Sequence, residues 1–163
     1  MERGAVLSPC GRYRFSLTRV WSEGPHRVFV LLNPSTADAT TDDPTLRRCM
    51  RFARDWGYGG LTLVNLFPWR ATHPQDLGKA RASGQDITAV ERNRTAWLHA
   101  LAKTDALPLF GWGAHALAVE AWPRLLEHTP GECLGITKTG APRHPLYIRA
   151  DTKPMPWEPP QAC

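Results

Sequence analysis

Hydrophobic and polar positions along this chain keep two rhythms, one of period two or unbroken, the other helical. Residues 14–21 alternate, with Phe15, Leu17 and Val20 set against Arg14, Ser16 and Arg19. That spacing predicts a half-buried strand, an edge strand or one arm of a hairpin. Val28-Phe29-Val30-Leu31-Leu32 is an unbroken apolar run that stops at the turn Asn33-Pro34-Ser35, as a strand covered on both faces does. Asp43-Pro44 then opens a helix, with Asp as N-cap and Pro at the first helical position. Leu46, Cys49, Met50, Ala53 and Trp56 form its apolar stripe and Gly57 closes it. Residues 61–64 read as a second buried strand ending at Asn65, followed by a loop carrying Phe67, Pro68, Trp69 and Arg70. Ile87, Val90, Trp97, Leu98 and Leu101 predict a helix over 86–103. A third strand over 106–110 runs into Gly111-Trp112-Gly113, and a helix over 114–128 is bent or restarted by Pro123. A short fourth strand over 133–136 leads into a Gly/Pro-punctuated loop reaching Tyr147.

Strands alternating with helices predict a three-layer α/β/α fold around a central, mainly parallel four-stranded sheet. Residues 1–152 read as one domain and 153–163 as an extended, proline-rich tail that Trp157 docks on the body. In such sheets the ligand crevice lies beyond the carboxyl ends of the strands. Those ends supply Asn33, Asn65, the Gly-Trp-Gly turn and the loop holding His144, so four loops are expected to meet at one edge.

Composition narrows the classes. Of 163 residues, 42% are apolar and 21% charged, a globular profile. No apolar run approaches membrane-spanning length, and the first residues lack a hydrophobic signal region. Four cysteines at 10, 49, 133 and 163 form no C-x-x-C pair, which speaks against a zinc or iron–sulfur site and for reduced thiols in a cytoplasmic protein. No metal or cofactor is expected. Twenty bases against fifteen acids leave a net charge of +5, which favours a polyanionic partner, DNA first, or a nucleotide.

The candidate chemistry sits in the loops. A turn past a buried strand presents backbone N–H groups and the Asn33 amide, which can position a water that Asp43 or Asp38 would polarise. Asp43 reads as the helix cap before it reads as a catalyst, though one residue held rigidly can do both. Asn65 can donate and accept together and so read a base edge, or it satisfies its own loop. The glycines of Gly111-Trp112-Gly113 turn a strand tightly into a helix. His115 reads as structural or exposed. Lys138, Arg143 and His144 occupy a loop from which a histidine can hydrogen-bond an oxygen gaining charge. Arg47, Arg51 and Arg54 share a helical face, whereas Arg48 points differently, toward the first loop.

These stretches carry a resemblance. Asn33-Pro34-Ser35-Thr36-Ala37-Asp38, Asp42-Asp43-Pro44-Thr45, Arg47-Arg48, Trp56-Gly57-Tyr58, Asn65-Leu66-Phe67, Arg70-Ala71-Thr72, Gly111-Trp112-Gly113 and Arg143-His144-Pro145-Leu146-Tyr147 resemble a bacterial and phage family known as domain of unknown function 1643. More distantly, the order of motifs resembles the uracil-DNA glycosylase superfamily. Asn33-Pro34 is similar to its water-positioning loop, Asn65 to its base-reading asparagine, and His144-Pro145-Leu146 to its His-Pro loop. Leu32 and Ser35 depart from its glycine-bearing loop, and Leu146-Tyr147 from its usual serine.

The resemblance implies an N-glycosidic hydrolase that releases a modified or deaminated base from DNA or a nucleotide. Asn33, Asp43 and His144 would be catalytic. Pro34, Ser35, Asp38, Arg48, Asn65, Phe67, Arg70, Trp112, Lys138 and Arg143 would bind substrate, with Phe67 or Trp69 stacking on a flipped base. The alternative is a non-catalytic nucleic-acid or nucleotide binding module on the same fold.

Overall fold

The computed structural model describes residues 1–126 and 129–160. Its strands and helices are, in chain order, β1 (Glu2–Leu7), β2 (Arg14–Val20), β3 (His26–Leu31), α1 (Pro44–Asp55), β4 (Gly60–Asn65), α2 (Gln75–Ala82), α3 (Val90–Leu101), β5 (Leu109–Phe110), α4 (Ala116–Leu126), β6 (Gly131–Cys133) and β7 (Met155–Trp157), with a single 3-10 turn at Pro145–Tyr147.

The sheet is mixed and seven-stranded, in the order β1-β2-β4-β3-β5-β6-β7, rather than four-stranded. Its middle, β4-β3-β5-β6, is parallel, while β1 and β2 on one side and β7 on the other run antiparallel. The sequence pattern missed β1, whose residues alternate only weakly and are mostly exposed. β2 is consequently an interior strand, not an edge. β7 belongs to the proline-rich stretch; it pairs with β6 and buries Trp157.

Apolar strand residues divide by parity between the two faces, as the pleat requires. Phe29, Leu31, Leu61 and Leu63 pack with Leu46, Cys49, Phe52 and Ala53 of α1. Val28, Val30 and Val64 pack on the opposite side with Leu77, Trp97, Ala100 and Leu117 from α2, α3 and α4. Asp43 caps α1 as its sequence predicts: its side chain accepts from Leu46 N at 2.8 Å.

Several expected boundaries move for identifiable reasons. β5 starts only at Leu109, because Pro108 has no N–H to give a ladder and contributes its carbonyl to Glu132 N instead. β6 starts earlier than expected, at Gly131, where a Cβ would lie 2.2 Å from the Phe110 ring. α3 begins at Val90 rather than at 86, since Asp86 folds the preceding residues into a turn by accepting from Thr88 and Ala89. α2 buries only Leu77 and so leaves almost no periodic trace in the sequence.

β2 departs furthest from its pattern. Arg14 and Arg19, expected on a polar face, are both buried. Arg14 donates to the Ala37 carbonyl at 2.7 Å. Arg19 donates to the Asp38 carbonyl at 2.6 Å and to the Asp42 carboxylate at 2.9 Å. Two buried guanidinium groups thereby fasten the loop between β3 and α1 to the sheet.

Candidate functional site

β3 leads through α1 to β4 on one side, and β5 leads through α4 to β6 on the other. Their carboxyl-end loops therefore diverge between two adjacent strands, the switch point at which open α/β sheets form a crevice. A cleft of about 580 Å³ lies there, within the usual range for small-molecule sites. Loops after β3, β4 and β5 and the loop preceding the 3-10 turn all contribute to its lining.

Asn33, Ser35, Asp43, Trp112 and His144 line this cleft. The Asn33 Nδ2 donates to the carbonyls of Pro34 at 3.0 Å and Ala71 at 2.9 Å. Two carbonyl acceptors fix the amide's orientation and leave Oδ1 as its ligand-facing group. Asp43 is buried, its Oδ1 accepting from Leu46 N and its Oδ2 from Ala37 N at 3.3 Å. It thus caps α1 and braces the Asn33 loop at once. Trp112 is buried against Phe110 and Trp157, at ring separations of 5.0 and 5.2 Å. Pro34 is buried behind the loop.

His144 caps the 3-10 turn: its Nδ1 accepts from Leu146 N at 3.2 Å. With Nδ1 an acceptor, the neutral ring carries its proton on Nε2. Burial pushes the imidazole below its ordinary value, and the Asp43 charge opposes that shift. The ring is therefore neutral at physiological pH, with one N–H to give.

Asn65 ends β4, in register with Leu31 and on the same sheet face as Leu63, and both leucines line the cleft. Asn65 itself is not among the cleft's lining residues; its side chain is buried, and neither Oδ1 nor Nδ2 meets a partner among the described residues. Its carbonyl is held from the opposite face by Asn93 Nδ2 at 2.9 Å and Trp97 Nε1 at 2.8 Å. An unpaired buried amide costs about 1–3 kcal/mol, which a water or a ligand group meeting it would offset.

The remaining sequence candidates lie elsewhere. Arg48 is half-buried over the Phe52 ring and donates to the Ile148 carbonyl, tying α1 to the end of the His144 loop. Phe67 sits in the core on the α3 side. Arg70 donates to the Ser35 and Gly11 carbonyls and opens on a separate surface pocket with Trp69. Asp38 turns its own loop, and hydrogen bonds from Thr40 and Thr41 hold its carboxyl at about 2. Lys138 and Arg143 are exposed and outside the cleft lining.

Among the cleft members that sequence reasoning missed are Arg14 and His115. Arg14 lines it with its Nε unpartnered, and burial lowers the guanidinium to about 10, still charged at neutral pH. Strand alternation had assigned this arginine to solvent. His115 repeats the His144 arrangement: its Nδ1 accepts from Leu117 N at 3.1 Å. The Gly111-Trp112-Gly113 turn signalled the position but not the role.

Among the described residues no group of three or more His, Cys, Asp or Glu side chains is placed to hold a metal ion, and no helix is long and apolar enough to cross a membrane. Comparison with curated proteins and with solved structures returns no match. A family described as "Protein of unknown function (DUF1643)" matches residues 14–146, which takes in β2 through the His144 loop and every cleft residue named above. The chain belongs to the DUF1643 family.

Proposed function

We propose that the cleft holds a nucleobase and that this chain is an N-glycosidic hydrolase acting on DNA or on a nucleotide. One observation carries the reading: an imidazole, His144, whose Nδ1 is committed to Leu146 N, lies in the same cleft as Asn33 and Asp43. Cleaving an N-glycosidic bond leaves the electron pair on the departing base and positive character on the sugar. His144 Nε2–H meets the oxygen of the leaving base as its charge grows. A water held at Asn33 Oδ1 bonds to the sugar C1′ and gives its proton to Asp43, whose oxygens each retain a lone pair beyond the backbone N–H they accept. Asn65, buried at the end of β4 and unpaired among the described residues, supplies the paired donor and acceptor that read the base edge. Likeness of Asn33-Pro34, Asn65 and His144-Pro145 to the uracil-DNA glycosylase motifs supports the same assignment. Arg47, two residues past the cleft residue Thr45, is exposed and suits a phosphate backbone, with Arg51 exposed one turn further along α1.

A second reading is a binding module without chemistry. The engagement of Asn33 Nδ2 and of both Asp43 oxygens by backbone favours it. Incubating the protein with oligonucleotides that contain uracil, hydroxymethyluracil or hypoxanthine, and scoring abasic sites, separates the two. Base release supports the hydrolase; retention of one modified oligonucleotide without release supports the module.

A further inference from the structure

We propose that the cleft contains a phosphate subsite built on His115, so that its ligand is a phosphorylated nucleoside rather than a free nucleoside or base. This rests on the nucleobase reading above and names the substrate class for it. The polar lining is rich in groups that can donate, while its acceptors, Asn33 Oδ1 and Asp43, are few. Ser35, Thr36, Thr45 and Thr72 present hydroxyls, and none of the four has a protein partner among the described residues. The lining's carboxylate, Asp43, has each oxygen engaged by a backbone N–H. Arg14, 2% exposed, lines the cleft with its Nε unpartnered.

His115 completes the set. Its Nδ1 accepts from Leu117 N, so Nε2 is the proton-bearing atom in the neutral ring and a donor in either protonation state. It is not an independent surface histidine. Gly113 N donates to the Pro142 carbonyl at 2.8 Å, and a Cβ on Gly111 would lie 2.8 Å from Pro145. The loops bearing His115 and His144 are thereby locked together, and both imidazoles line one cleft. Leu31, Leu63, Trp112 and Tyr147 give that cleft an apolar part suited to a base. Surplus donors, a buried cation and an apolar part together match a base joined to an anionic oxygen cluster. The phosphate comes either from a free nucleoside 5′-monophosphate or from the backbone of a polynucleotide.

Calorimetric titrations of the full chain with deoxynucleosides, their 5′-monophosphates, inorganic phosphate and a ten-nucleotide single strand test this. At least one monophosphate is expected to bind roughly ten-fold or more tightly than its nucleoside, as hydrogen bonds to a charged group allow, with inorganic phosphate competing. His115→Asn keeps an acceptor for Leu117 N but removes the reaching donor, and should erase the difference between monophosphate and nucleoside. In the wild type, phosphate should shift the His115 ring resonances in a histidine proton–nitrogen spectrum, a readout that needs no variant. Tighter binding of the oligonucleotide with the same dependence on His115 would identify the polynucleotide backbone as the source. Equal affinity for nucleoside and monophosphate, or unmoved His115 resonances, overturns the subsite. Phosphate-dependent binding without base release would leave the subsite standing and remove the hydrolase; release unaffected by His115→Asn would do the reverse.

Discussion

Arg19 and Asp42 form an ion pair at 2.9 Å in which the arginine side chain is fully enclosed and the aspartate is 19% exposed. The same guanidinium donates to the Thr18 and Asp38 carbonyls, so one side chain anchors the wall that carries Asn33 and Asp43. Arg19→Met removes the cation and its hydrogen bond to the Asp38 carbonyl, while Asp42 keeps its second ion pair, to Arg3 at 3.1 Å. Breaking a buried pair from one side costs roughly 3–5 kcal/mol, and because Asp42 reaches water the loss should fall at the lower end. Urea unfolding measures it. A loss below about 1 kcal/mol would mean that the loop holds itself.

Asn65 predicts opposite effects on stability and recognition. Asn65→Leu replaces an unpaired buried amide by an apolar side chain of similar size, so stability should be unchanged or higher by about 1–3 kcal/mol, while ligand binding is lost. Asn65→Asp should instead shift the preferred base by about ten-fold or more. Thermal unfolding and a base panel read the two effects. Destabilisation by Asn65→Leu together with an unmoved preference under Asn65→Asp would make Asn65 a structural residue.

His144 sets a pH dependence. Its folded value lies below the ordinary 6.5 because burial disfavours the charged ring, so between those two values the unfolded chain binds more protons than the native one. Its contribution to stability is full above 6.5, falls as pH drops from there, and is gone below the lowered folded value. Protonation also turns Nδ1 into a donor facing Leu146 N–H and breaks the cap. Stability should therefore rise with pH through that window, and His144→Asn, which keeps an acceptor there, should flatten the rise.

Trp157 closes the far edge of the sheet. It packs edge-on to Phe110, Trp112 and Trp122, and its Nε1 donates to the Gly140 carbonyl at 3.0 Å. Trp157→Ala should cost about 3–5 kcal/mol. It should also weaken ligand binding, since Trp112 loses its backing. A purely local effect on the tail, with Tm unchanged, would contradict this.

Arg47 and Arg51 lie exposed on one face of α1. Each phosphate contact contributes about 0.9 to the slope of log affinity against log salt for duplex DNA. Replacing both by Ala should weaken DNA binding uniformly across sequences and lower that slope by about two. An unchanged slope would place the polyanion elsewhere.

Much of the parallel centre was legible because its strands are fully covered and read as apolar runs, and because Asp43-Pro44 is an unmistakable helix start. The antiparallel margins were not. β1 is too exposed to show a pattern, and β7 is built from a stretch whose prolines signal only extension. The buried arginines were illegible for a different reason: alternation identifies a face of a strand, and only the tertiary structure shows that a loop covers Arg14 and Arg19. In the site, strand-end position was enough to collect Asn33, Asp43, Trp112 and His144. Arg48, Arg70 and Asp38 were drawn in by proximity in sequence, but their polar atoms hold loop and terminal backbone. His115 was read as peripheral because nothing in the sequence shows that its Nδ1 accepts from the backbone and leaves Nε2 to the cleft.

The most direct measurement is the rate at which abasic sites appear in oligonucleotides carrying a panel of altered bases, for the wild type and for His144→Asn. The account predicts release of at least one base by the wild type, and a rate lower by about 10²-fold or more in the variant, the size associated with losing one donor to a developing anion. No release from any base, or equal rates for the two proteins, would contradict it.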